Sequence, residues 1–241
     1  MSGAKHIVTA YSQELQRLRD LMIEMGGLVE RQVALATQAI LDNDSSVALQ
    51  AVELDPQVDA LEREAEQFVI RMLALRQPMA SDLREIVAAL KITAAMERIG
   101  DYAKNVAKRS IVLGQFALPF SLSGLAAMSR LVQENLRLVI DSVAESDAEK
   151  ALRAWQSDQA IDDLYNSIFR ELITYMMEDA RSITPCTHLL FITKNLERIG
   201  DHVTNIAETV HYAVTGEALT EERPKGDSSV YAVVRPRDVA E

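Results

Sequence analysis

The sequence predicts an all-α protein: two similar antiparallel three-helix bundles, related by an internal repeat and joined as a pseudo-two-fold six-helix molecule. Three observations carry this reading. The pentapeptide Glu-Arg-Ile-Gly-Asp is written twice, in "MERIGDYAKNVAK" (Met96 to Lys108) and in "LERIGDHVTNIAE" (Leu196 to Glu208), and self-similarity at a fixed offset marks a repeated supersecondary unit. Leu189, Ile192, Leu196, Ile199, Val203, Ile206 and Val210 keep a 3-4 spacing that places them on one helix face, and Ala89, Ile92, Met96, Ile99, Ala103, Val106 and Ser110 repeat it one copy earlier. Nine Gly and six Pro in 241 residues are few, and most stand at the margins of periodic segments, so long helices run uninterrupted.

The elements follow in order. The first helix of copy one spans about Ser12 to Leu41 and ends in "DNDSS", where Asp44 or Ser45 can cap the next. The second runs from about Ser46 to Leu75 and stops before "RQPMASD", because Pro78 cannot continue it. Ser81 or Asp82 is a suitable N-cap for the third, from Leu83 to about Val112. Copy two repeats the plan over Leu125 to Ala144, Asp147 to about Ala180, and Pro185 to about Val214, with Gly216 as a helix stop. Ile40 to Glu62 lies over Val143 to Tyr165 at an offset of 103, yet Leu90 and Leu190 differ by 100, so three residues are lost around the intervening turn. The domain boundaries are therefore 1–115, 116–216, and a flexible tail, 217–241, whose "VYAVVRPR" suits a short strand or a docking peptide.

Composition narrows the function. A net charge of -11 argues against nucleic acid or an anionic membrane as a directly bound polyanion, and favours cations or basic protein surfaces. Cys186 is alone, which leaves no intrachain disulfide and no Cys-based zinc site. "MSGAKHIVTAYSQELQ" has no apolar core of signal-peptide length, and no stretch reaches the length of a membrane span, so a cytoplasmic location is expected.

The chemistry lies in carboxylates. Glu97 and Asp101 are four apart and stack on one helical face, as do Glu197 and Asp201; Asp55 with Asp59 and Asp158 with Asp162 form matching pairs near the start of each middle helix. Each pair lies about twenty residues from the turn that joins its helix to the next, so the two pairs of a copy reach the same height on antiparallel neighbours. Four like charges at one level repel unless a cation sits among them. All-carboxylate ligation suits iron(III), manganese, magnesium or calcium, and disfavours zinc and copper. Asn105 and Asn205 continue the face as neutral oxygen ligands. The acids point away from the apolar seam, which predicts a shallow, solvent-accessible cluster. Gly100 and Gly200 sit inside helices at about 1 kcal/mol relative to Ala, either for close helix packing or to admit a cluster. Arg98 and Arg198 are expected to pair with acids on adjacent helices. No Gly-rich phosphate loop, Ser/His/Asp grouping or ferritin-type Glu-x-x-His pair appears, so a non-enzyme is favoured over a carboxylate-bridged metal enzyme or a metal-storage bundle. In the turn "PMASDLR", Met79 and Arg84 are more than a bare turn requires and are candidate partner-binding residues.

Together "RQPMASDLREIVAALKITAAMERIGDYAKNVAK" and "ITKNLERIGDHVTNIAETV" resemble the PhoU family, the phosphate-transport accessory and regulatory proteins of bacteria, over about Tyr11 to Glu217. The resemblance implies a cytoplasmic adaptor that holds down the phosphate-starvation response. Its implied partners are a sensor histidine kinase and the ATPase subunit of the high-affinity phosphate importer, with the adaptor itself a homo-dimer. It also implies metal binding through paired acid-x-x-x-Asp motifs, here Asp55, Asp59, Glu97, Asp101, Asp158, Asp162, Glu197 and Asp201. "PMASDLR" has no close counterpart in "SITPCTHLL", so the two halves need not serve the same partner.

Overall fold

The structure, a computed structural model, describes residues 2–118 and 121–219. Most of the proposed tail, including "VYAVVRPR", lies outside them. Among the described residues every regular element is helical: α1 (Ser2–Leu41), α2 (Ser45–Arg76), α3 (Ala80–Leu113), α4 (Ser123–Glu145), α5 (Ala148–Gln156), α6 (Asp158–Glu178), a 3-10 turn (Ala180–Ser182) and α7 (Ile183–Thr215). Helices α1, α2 and α3 pack on one another; α4, α5 and α6 pack around α7. All fourteen residues of the two apolar seams are buried, which is the burial that makes long amphipathic helices stable.

Three local details differ from expectation. Helix α1 starts well before Ser12, because "SGAKHIVTAY" contains no proline to stop it. The cap of α3 is Met79, in extended backbone and without a side-chain hydrogen bond; Asp82 lies in the first turn, beside the positive end of the helix dipole, and Ser81 does not cap. The middle helix of copy two is broken at Ser157, whose hydroxyl donates to the Ala154 carbonyl (2.7 Å) and competes with the helical pattern. Copy one carries its own disturbance at that level, Pro56, which has no N–H to donate, although α2 stays continuous. The three residues that distinguish the copies are Gln77, Pro78 and Met79, the non-helical link between α2 and α3.

Other terminus signals hold. Asp44 caps α2 by accepting from the Ser46 and Val47 amides, and Asp147 caps α5 by accepting from Glu149 and Lys150. Gly216 ends α7 at φ 80°, with its N–H on the Tyr212 carbonyl.

The bundles join chiefly through α3 and α7, with α1 and α4 as a second seam. Helices α3 and α7 run antiparallel. Arg84, near the start of α3, packs against Gly216 at the end of α7, while Arg109, near the end of α3, covers the Phe191 ring at 4.1 Å. Tyr102 and His202, equivalent in the repeat, meet each other with ring centroids 5.6 Å apart. Equivalent residues meeting is the signature of a two-fold contact, here closed within one chain. Buried and half-buried polar clips fix the bundles: Arg19 grips Glu85 at 2.6 and 2.9 Å, Arg76 grips Glu14 at 2.7 and 2.8 Å, and Trp155 donates to Glu208 at 3.0 Å.

Candidate functional site

In copy one the four carboxylates converge as their heights require. Asp55 on α2 and Asp101 on α3 share one ammonium: Lys104 Nζ donates to Asp55 Oδ2 at 2.8 Å and to Asp101 Oδ1 at 2.5 Å. Burial works against the lysine's charge, but the hydrogen bonds and charges of both aspartates outweigh it and raise its pKa. Glu97 is half-buried, and its carboxyl is pushed up first by burial and then by the neighbouring charges of Asp101, Asp59 and Glu62, only partly relieved by Arg98. Glu62 is thus a fifth acid of the cluster. Arg98 pairs with Glu97 (3.5 Å) and Asp101 (3.8 Å) on its own helix, not with an adjacent one.

Copy two is more enclosed. Asp158, Asp162 and Glu197 are 2, 4 and 5% exposed, and Asp201 is half-buried. All four take part in polar interactions; Lys194 Nζ donates to Glu197 Oε1 at 2.9 Å and lies 4.8 Å from the centre of the Tyr165 ring. A shallow, exposed cluster is therefore not what the fold builds. The acids point away from the α3–α7 seam, but that direction is where α2 and α6 pack, so a second helix covers them. Asn105 and Asn205 are exposed, and Arg198 lies 5.7 Å from the Tyr102 ring centre, reaching across to the other bundle.

The two helix-interior glycines permit this approach. A Cβ on Gly200 would stand 3.1 Å from Ile161 Cδ1 and 3.2 Å from Asp158 Oδ1; one on Gly100 would meet Gln32 Oε1 at 2.9 Å and Val58 Cγ1 at 3.3 Å. Gly200 thus brings α6, with its aspartates, against α7 between Glu197 and Asp201. Gln32 is wholly buried, and neither of its amide atoms has a partner. Its equivalent at the 103-residue offset, Asn135, is also buried, with its Nδ2 unpartnered. Neither amide stands out in the sequence; the repeat register alone could have paired them. Lys104 had a clearer signal, three residues after Asp101 on the same face.

The donor set is all oxygen, which matches a hard cation. In copy two the acids are buried or half-buried and already take part in polar interactions, and Ile161 and Asp158 fill the space beside Gly200. In copy one an ammonium already bridges two of the acids. Among the described residues no group of three or more His, Cys, Asp or Glu side chains stands ready to hold a metal. At the other end of copy one, Met79 is 80% exposed, whereas Arg84 is half-buried, with its Cζ 3.5 Å from where a Cβ of Gly216 would lie.

Two copies of one three-helix unit, set back to back and each carrying facing acidic pairs, define an all-α tandem-repeat protein with acidic helix faces. The PhoU domain profile matches residues 22–110 and 125–210. A phosphate-specific transport system accessory protein PhoU homolog of Caulobacter vibrioides is 49% identical over 92% of this chain and 97% of its own length, and one of Zymomonas mobilis is 46% identical over 92% and 93%. The crystal structure of PhoU from Pseudomonas aeruginosa superposes with a TM-score of 0.84 at 41% identity, covering 86% of this chain and all of that one. That of the phosphate transport system regulatory protein PhoU from Streptococcus pneumoniae gives 0.80 at 28% identity, over 88% of this chain and all of that one. The chain belongs to the PhoU family.

Proposed function

We propose that this chain is a non-catalytic regulatory adaptor of phosphate homeostasis in the cytoplasm, restraining the phosphate-starvation response by linking a high-affinity phosphate importer to its sensor histidine kinase. One observation carries the reading: both halves match the PhoU domain, and relatives nearly half identical over almost their full length are named as accessory proteins of phosphate-specific transport. Among the described residues no helix is long and apolar enough to cross a membrane, in keeping with a protein that reaches the importer through its ATPase subunit.

The copy-one turn is the docking surface in this reading. Met79 stands in the three-residue insert that copy two lacks, and Leu75, Leu83 and Val87 are exposed near it. Arg84 and Lys91 line an adjoining groove of about 370 Å³ with Leu83, Val87 and Tyr212. The kinase and the ATPase subunit are the partners, met by a homo-dimer of this chain. Each copy holds a hard cation, iron before manganese, magnesium or calcium, on Asp55, Asp59, Glu97 and Asp101 or on Asp158, Asp162, Glu197 and Asp201. The ion neutralises the converging charges and ties the middle helix to the third.

Deleting the gene should switch on a phosphate-starvation reporter in phosphate-rich medium; a reporter that stays silent excludes the adaptor. Replacing Glu197 and Asp201 together with Ala should remove copy-two metal while helicity by circular dichroism is kept. Metal retained in that variant sinks the ligand assignment. Met79→Glu tests the docking surface more cleanly than Arg84→Glu, which would also set a negative charge against the C-terminus of α7. Kinase or ATPase capture unchanged by Met79→Glu confines the turn to a structural role.

A further inference from the structure

Beside the end of α7 a groove of about 370 Å³ runs between α3 and α7, walled by the exposed side chains of Leu83, Val87 and Tyr212. Its polar groups are of two kinds. Glu208 already accepts from Trp155 Nε1 at 3.0 Å, and the Thr209 hydroxyl donates to the Asn205 carbonyl at 2.7 Å. The two cations differ. Arg84 Nε is buried without a hydrogen-bond partner, and neither Arg84 nor Lys91 enters an ion pair among the described residues. Apolar walls with two unpaired positive charges suit a peptide that carries apolar side chains and acids.

The chain supplies such a peptide at the rim of the groove. Arg84 Cζ lies 3.5 Å from where a Cβ of Gly216 would stand, and Leu219, the last described residue, packs against the core just beyond. After it come "TEERPKGDSSVYAVVRPRDVAE", in which Gly226 to Val234 holds no basic residue, one acid in Asp227, and an unbroken apolar run from Val230 to Val234. The stretch from Leu219 to Asp227 reaches up to about 26 Å, whereas Arg84 and Lys91 are about 10 Å apart along α3. A segment on so short a tether meets the groove at an effective concentration of about millimolar, so weak contacts suffice to seat it. A second copy of the chain at micromolar concentration competes poorly with that.

We propose that the C-terminal segment Asp227–Val234 docks in the α3–α7 groove of its own chain. Asp227 meets Lys91, Glu221 and Glu222 pass Arg84, and Val230, Tyr231 and Val233 cover Leu83, Val87 and Tyr212. A seated segment closes the groove to any other acidic, apolar peptide. The contact does not rest on the regulatory role proposed above.

The test uses the full chain with the photoreactive p-benzoylphenylalanine in place of Tyr231. Irradiation of micromolar protein should give a product of monomer mass, joined to α3 between Leu83 and Lys91 or to α7 between Glu208 and Tyr212. Lys91→Glu, at an exposed position, should lower that yield about three-fold or more, and adding Asp227→Lys should restore it. Restoration by the exchanged pair separates a direct contact from a disturbed groove. A product of twice the monomer mass would put the segment of a second copy in the groove and overturn the intrachain assignment. Attachment elsewhere, no product at all, a yield indifferent to Lys91→Glu, or one that Asp227→Lys leaves low overturns the docking itself.

Discussion

At the scale of single residues, the two buried amides are the places where sequence and packing disagree. Gln32 is wholly enclosed with neither amide atom bonded, a state that destabilises a fold by about 1–3 kcal/mol. Gln32→Met keeps length and flexibility while removing both polar atoms, so it should raise the metal-free midpoint by about 3–6 °C. A melt no higher than wild type would show that the amide is satisfied after all. The caps give a prediction of the opposite sign. Asp44 and Asp147 are held below the usual aspartate range, Asp44 by the Ser46 hydroxyl and the first amides of α2, Asp147 by the first amides of α5. Because the folded pKa lies below the unfolded value of about 3.9, their contribution is fully present above that pH and is lost as pH falls through the folded value. The double variant Asp44→Asn, Asp147→Asn should therefore differ least from wild type at about pH 2–3 and most at neutral pH, by a few degrees, on the order of 2–4 °C in melting scans.

At the scale of elements, most of the architecture was legible. The 3-4 seams named α3 and α7, and the polar turns placed the starts of α2 and α5. The lost triplet was legible too, because the offset falls from 103 at Glu62 to 100 at Leu90; its place at Gln77 to Met79 came from the helix ends. What escaped notice depended on tertiary contacts. Ser157 sits in "AWQSDQAID", where no Gly or Pro announces a break, and only the hydroxyl's bond to Ala154 reveals why the helix parts. The burial of the acids was missed because one apolar seam defines one covered face, whereas α3 and α7 are covered on two: each packs on the other and also on α2 or α6. Lys104 was legible only in part, since Asp101 precedes it by three residues on α3 whereas Asp55 reaches it from α2. The insert is strained at its borders, since Gln77, its first residue, and Ala80, the first residue of α3, both hold positive φ, 47° in each case. Gln77 closes α2 in the left-handed region that glycine occupies freely. Gln77→Gly should therefore stabilise the chain by about 0.5–1 kcal/mol in urea titrations, while Ala at the same position should not.

At the scale of the whole molecule, the α3–α7 contact is the main seam between the halves. Arg109 from one bundle covers Phe191 of the other at 4.1 Å, and Arg198 approaches Tyr102 in return at 5.7 Å. A double-mutant cycle on Arg109→Ala and Phe191→Ala should report a coupling of about 0.5–1 kcal/mol. A coupling near zero would mean that the ring and the guanidinium meet without energetic consequence. The two-fold relation of these helices resembles a dimer interface, but it is sealed by a peptide linker. In a dimer of identical chains every substitution appears twice and every ancestral advantage must suit both sides. Fused in tandem, the copies inherit separately: a lysine can arise at 104 while 204 stays threonine, and a triplet can open one turn while leaving the other short. The seam also survives any dilution, because its partner's effective concentration is fixed by the linker and not by the cell. The fold is thus an internal symmetry released from any obligation to stay symmetric, so that each half can change without the other.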